Sequence, residues 1–194
     1  MSLRLIIAGV AGGVAMFIWT GLAHTVLGLG SMGMSVMTNE EPVRAGLQTA
    51  TGDKDGLYFF PGMDAHAKDK NAEMKAWTEK ARTGPSGLVI YRQAGHNAEM
   101  GLPTMAAEAG KEIVTTLLAA FLLTLTSLTL FWSRAGFVAV IGLIATMTTN
   151  LSYLIWYGFP TTYTMAAMLT EFVGYVVAGL VIAALLRPRL RVEI

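Results

Sequence analysis

The chain has 194 residues, of which 54% are hydrophobic and 14% charged, with a formal net charge of +1 and no cysteine. Soluble domains carry roughly a quarter charged residues, so this composition excludes an ordinary soluble fold. The near-neutral balance gives no electrostatic reason to bind nucleic acid, and the lack of cysteine excludes disulfides, thiolate chemistry and cysteine-held metals.

Charge is segregated along the chain. Of the 27 charged side chains, 20 lie between Glu40 and Glu112. Uncharged runs cover Leu5–Asn39, Ile113–Ser133, Ala135–Thr170 and Phe172–Leu186. A helix needs about 20 apolar residues to cross a bilayer. The runs therefore predict four crossings, the last two divided near Gly158-Phe159-Pro160. The expected fold is an all-α integral membrane protein: a four-transmembrane-helix bundle with a small α+β extracytoplasmic lobe between helices 1 and 2. The first transmembrane helix falls within 1–30, the lobe over 31–108, helices 2–4 over 109–186, and a basic tail over 187–194.

The first span is expected over Leu5–Leu27. Its apolar run exceeds the roughly 7–15 residues of a secretory h-region, which argues for a retained helix. Gly9 and Gly13 make a GxxxG step, and Gly174 supplies a further small residue in the last span; such residues let helices approach closely. Thr38 or Asn39 is the expected cap of a helix running to about Ala50. In the lobe, Leu57–Phe60 and Gly87–Tyr91 read as two strands that could pair, with a helix over Ala65–Arg82 packed across them. The second span is expected within Met105–Trp132, with Gly110–Glu112 near its outer end. Ser133-Arg134-Ala135-Gly136 reads as a tight inner turn, Phe137–Tyr157 as the third span, Gly158–Thr162 as an outer turn and Tyr163–Leu186 as the fourth span.

Arginines set the orientation. Arg4, Arg134, Arg187, Arg189 and Arg191 fall on one side of a four-span plan, and the 158–162 turn on the other has no charge. The positive-inside rule then places both termini in the cytoplasm and residues 31–108 outside, in a bacterial inner (plasma) membrane.

Glu171 stands in this reading as the lone acid within a span, and such a group is expensive in hydrocarbon. Its helix face carries Thr164, Ala167, Met168, Gly174, Tyr175 and Ala178. Asn150 and Tyr153 on the third span, and His24 near the outer end of the first, are the expected neighbours. The cluster Glu171, Asn150, Tyr153, His24 and Tyr175 is either an intramembrane ligand or proton site or a hydrogen-bonded lock on the bundle. A separate set, Met63, His66 and His96, has the thioether and imidazole groups that suit Cu(I), although methionine also simply fills gaps. Asp53-Lys54-Asp55-Gly56 starts like a calcium loop but lacks its later ligands. No catalytic motif appears, and no cofactor is called for.

In topology alone, the plan resembles the claudin-type four-span proteins and the quinone-linked disulfide oxidoreductases. The chain has none of the cysteines of either group, so the resemblance implies no site residue. The leading functional expectation is a non-catalytic accessory or assembly subunit of a membrane complex, in contact with lipid and with a membrane-protein partner or further copies of itself. The alternative is a small transporter or ligand-binding membrane protein with an outer-leaflet pocket around Glu171. A third reading is copper binding at the periplasmic face.

Overall fold

The computed structural model describes residues 2–95 and 101–186. Six α-helices and one two-stranded sheet are present among them. The chain divides into two units, one made of Met1–Met34 and Glu99–Ile194, the other of Ser35–Ala98.

The first unit holds four helices: α1 (Leu3–Thr25), α4 (Leu102–Thr124), α5 (Phe131–Tyr157) and α6 (Thr161–Leu185). Three of them, α1, α5 and α6, are long and apolar enough to cross a membrane. The fourth, α4, carries Glu108, Lys111 and Glu112 in its first half. Helix α5 packs on α6, α6 on α1, and α1 on α4, so the helices follow the order α5–α6–α1–α4.

Small residues set these seams. A Cβ on Gly9 would lie 2.6 Å from Leu117 Cδ2, and one on Gly13 would lie 2.6 Å from Ile113 Cα. The GxxxG step of α1 therefore faces α4 of the same chain. Thr116 Oγ1 donates to the Gly9 carbonyl across this seam at 2.8 Å. Gly12 lies against Ile182 and Ala178, and Gly174 against Met16 and Trp19, which brings α1 and α6 together. Gly142 receives Tyr175, and Gly179 receives Val138, between α5 and α6. The buried core joins Ala8, Met16, Ala120, Val138, Ala178 and Ile182. Packing of this kind works by close van der Waals contact and does not depend on water.

In this unit the largest departures from the sequence reading lie between α4 and α5. The second span was expected to run within Met105–Trp132, but α4 ends at Thr124. Thr124 and Thr126 turn their hydroxyls onto the carbonyls of Phe121 and Leu123, and Thr126 also accepts from the Leu128 amide. Threonine and serine crowded over 124–129 thus offer the backbone an alternative to continued helix. The expected turn at Ser133–Gly136 is helical, inside the first turns of α5. Arg134 is buried, and its guanidinium donates to the Ala183 carbonyl at 3.1 Å and to the Leu186 carbonyl. It donates to carbonyls at the C-terminus of α6, where a cation also suits the helix dipole.

The second unit contains α2 (Glu41–Thr51), β1 (Gly56–Phe60), α3 (Lys70–Thr83) and β2 (Gly87–Tyr91). The strands pair antiparallel, Gly56 opposite Tyr91 and Phe60 opposite Gly87. Helix α3 begins later than Ala65 because the Asp69 carboxylate caps it, accepting from Asn71 and Ala72. Helix α2 begins at Glu41 after Glu40, which gives no side-chain cap; neither Thr38 nor Asn39 is the cap residue. Trp77 Nε1 donates to the Pro61 carbonyl at 2.9 Å, which ties α3 to the end of β1. No described residue of this unit is buried. His96 and the 187–194 tail lie outside the described residues.

Candidate functional site

The site lies where α1 and α5 end and α4 and α6 begin. Residues 29–34 follow α1 through a short 3-10 turn, Leu29–Ser31. Gly33 takes a positive φ of 78°, and a Cβ there would come within 2.6 Å of the Tyr163 nitrogen. Only a residue without a side chain lets this segment turn back onto the start of α6. A cavity of about 290 Å³ opens beneath it, lined by α1, α4, α6 and the returning segment.

Glu112 is the central group. Its residue is 1% exposed. Thr20 Oγ1 on α1 donates to Glu112 Oε1 at 3.4 Å, and Lys111 Nζ reaches the same oxygen at 3.4 Å. Glu112 Oε2 is buried and has no hydrogen-bond partner among the described residues. A buried carboxylate oxygen without a partner is costly. Lys111 also pairs with Glu108 Oε1 at 2.8 Å. Glu108, Lys111, Glu112 and Glu171 all line the cavity. Glu171 is therefore not the lone acid of the helical unit. The sequence reading placed Glu112 near the outer end of its span and assigned it no role.

The residues singled out around Glu171 divide. Asn150 Nδ2 donates to Glu171 Oε2 at 3.4 Å and to its own helix at the Thr146 carbonyl at 2.9 Å. Asn150 thus meets Glu171 from α5, outside the cavity lining. His24 lines the cavity with Glu171. Its ring lies on the Gly30 backbone, and its Nδ1 sits 2.8 Å from the Thr20 carbonyl, which can only accept. Tyr153 stacks on Phe159, with ring centroids 5.3 Å apart, and is not among the lining residues. Tyr175 is buried against Gly142 and does not line the cavity either. Gly174 shapes the wall behind the site by admitting Met16 and Trp19 of α1, and Trp19 Nε1 donates to the Thr170 carbonyl at 2.8 Å.

Of the copper set, Met63 and His66 are exposed in the second unit. Among the described residues, no three His, Asp or Glu side chains gather closely enough to hold a metal ion. The second unit has a wider hollow of about 1140 Å³ between α2 and the end of β2, but none of its lining residues is buried. There Tyr91 Oη donates to Asp53 Oδ1 at 2.7 Å, and Gln93 Nε2 donates to Asp53 Oδ2 at 2.8 Å. The Asp53 carboxylate raises the Tyr91 phenol above its ordinary value, first by this hydrogen bond.

No protein-family model, curated protein or solved structure matches the chain.

Proposed function

We propose that this chain is a four-span integral membrane protein that binds a small ligand in the cavity between α1, α4 and α6. The carrying observation is Glu112, which lines that cavity with one buried carboxylate oxygen free of any described partner. Ionisable groups at membrane depth face protein interiors or water-filled cavities and mark functional pathways.

In this reading α4 is the fourth crossing. Its 23 residues give a helix about 34 Å long, enough to span a hydrocarbon core of about 30 Å. Its burial against α1 shields Glu112 from lipid. Both termini then lie in the cytoplasm, residues 31–108 lie outside, and the cavity opens from the outer side of a bacterial inner membrane. The free oxygen is a feature that a purely structural acid would have no reason to keep.

A cysteine-free chain makes the test clean. Ala167 lines the cavity, and Ser133 lies near the opposite end of α5. Ala167→Cys is expected to react with a membrane-impermeant maleimide on intact spheroplasts, while Ser133→Cys reacts only after the membrane is opened. Labelling with the opposite sidedness, or no labelling at Ala167→Cys until the protein is denatured, would overturn the reading.

A second reading is an accessory or assembly subunit. The second unit supports it, because none of its described residues is buried and its strands expose Leu57, Phe59 and Ile90. Exposed apolar patches of this kind mark contact surfaces. A stoichiometric protein partner retained in mild detergent, and lost when Leu57 and Ile90 are changed to serine, is the result this reading requires.

A further inference from the structure

We propose that the ligand of the cavity is a small organic cation whose ammonium or amidinium group pairs with the Glu112 carboxylate. This deepens the binding reading above and rests on it.

Charge decides first. Three acids, Glu108, Glu112 and Glu171, line the cavity against the single ammonium of Lys111. Lys111 is already engaged, at 2.8 Å from Glu108 Oε1 and 3.4 Å from Glu112 Oε1. It offsets acids on one side of Glu112 and leaves Oε2 without a described donor. An anion entering this space would meet carboxylates in a medium of low dielectric, where like charges repel strongly. An ammonium has three donors and no acceptor, which is what an unpartnered carboxylate oxygen requires.

Size and wall chemistry decide between a bare ion and an organic one. One water occupies about 30 Å³, so a cavity of about 290 Å³ is far larger than an inorganic ion needs. The volume sits at the lower edge of small-molecule pockets. Met16, Met34 and Tyr163 also line the wall, beside Thr20 and His24. Thioethers and an aromatic ring give a soft, polarizable surface suited to the carbon skeleton of an alkylammonium.

The experiment follows the thermal transition of the purified full chain in detergent through its tryptophan fluorescence. Three probes of matched size are compared: n-butylammonium, 1-butanol and butyrate. Butylammonium is expected to raise the transition temperature in a saturable way, because a ligand that binds only the folded state stabilises it. Glu112→Gln is expected to weaken that response at least about tenfold, while Glu79→Gln, an acid outside the cavity lining, retains it. Butanol and butyrate are expected to give no saturable shift.

An equal shift by butanol or butyrate, abolished by Glu112→Gln, would overturn the cation assignment and leave the binding site standing. An equal butylammonium response in wild type and Glu112→Gln would place binding elsewhere and overturn it too. Absence of any response while Ala167→Cys still labels would mean an accessible cavity of different specificity, again against the cation. Absence of response together with an unreactive Ala167→Cys would remove the site itself.

Discussion

Thr20 and Glu112 meet across the seam between α1 and α4, with the hydroxyl donating to Oε1 at 3.4 Å while Oε2 finds no described partner. One oxygen positions the acid and the other is buried without a described donor. A side chain kept only to lock two helices would use both.

This asymmetry sets the first expectation. A buried polar atom without a partner costs about 1–3 kcal/mol. Glu112→Gln keeps the acceptor for Thr20 and removes a buried charge. In the absence of ligand it is expected to leave the protein equally stable or more stable by about 1 kcal/mol, as strained functional groups do when removed. The denaturation midpoint in detergent measures this. A loss of about 2 kcal/mol or more would instead make Glu112 a structural acid.

The α1–α4 seam gives the second. A Cβ on Gly13 would lie 2.6 Å from the Ile113 Cα, which is backbone and has little room to yield. Gly13→Ala is expected to cost about 1–3 kcal/mol by overpacking. Gly21 on the same helix has nothing within 4 Å of an added Cβ. Gly21→Ala is expected to be neutral or slightly stabilising, since alanine is the better helix former. Equal effects at the two positions would show that the seam is not formed as described.

Much of the helical unit was readable from the residues. Helices α1, α5 and α6 announce themselves as long uncharged runs, and the strands as short apolar runs bounded by glycine and proline. Glu171 was conspicuous for the same reason, an acid in an otherwise uncharged stretch. Glu112 was hidden because it closes a charged segment and looks like the last residue before the membrane. The signal that marks it is spatial: Glu112, Thr116, Ala119, Ala120 and Leu123 are all buried and follow helical spacing. Read as one stripe of mostly small residues, they show that the acid faces α1. Arg134 was hidden in the same way. An arginine between two apolar runs reads as an interfacial turn, and only the register of α5 against α6 brings it to the carbonyls of Ala183 and Leu186.

Arg134 supplies the third expectation. Its planar fork serves two carbonyls, which lysine cannot reproduce. Arg134→Met is expected to cost about 2 kcal/mol by removing two buried hydrogen bonds, and Arg134→Lys to recover only part of that. The denaturation midpoints of the two variants compare them. Full recovery by lysine would mean that charge alone, and not the two-carbonyl geometry, matters there.

Tyr91 gives a pH expectation in the second unit. Its hydroxyl donates to Asp53, which holds the phenol above its ordinary value of 10.0. The folded state therefore keeps this proton more tightly than the unfolded state. The resulting stabilisation is complete below the unfolded value and is lost as pH rises through the raised folded one. The difference in tyrosinate absorbance between wild type and Tyr91→Phe isolates this titration. Its midpoint is expected above 10.0, and Asp53→Asn is expected to bring it down. A midpoint indifferent to Asp53→Asn would show that the bond does not form.

The most direct measurement replaces the acid itself with the chain's one cysteine. Glu112→Cys, in membranes and without denaturant, is treated with methanethiosulfonate reagents of opposite charge. The expected result is modification by the ethylammonium reagent at a rate clearly above that of the sulfonatoethyl reagent. A thiol that resists both reagents until the bundle is unfolded would contradict the claim that this position faces an accessible, cation-accepting cavity.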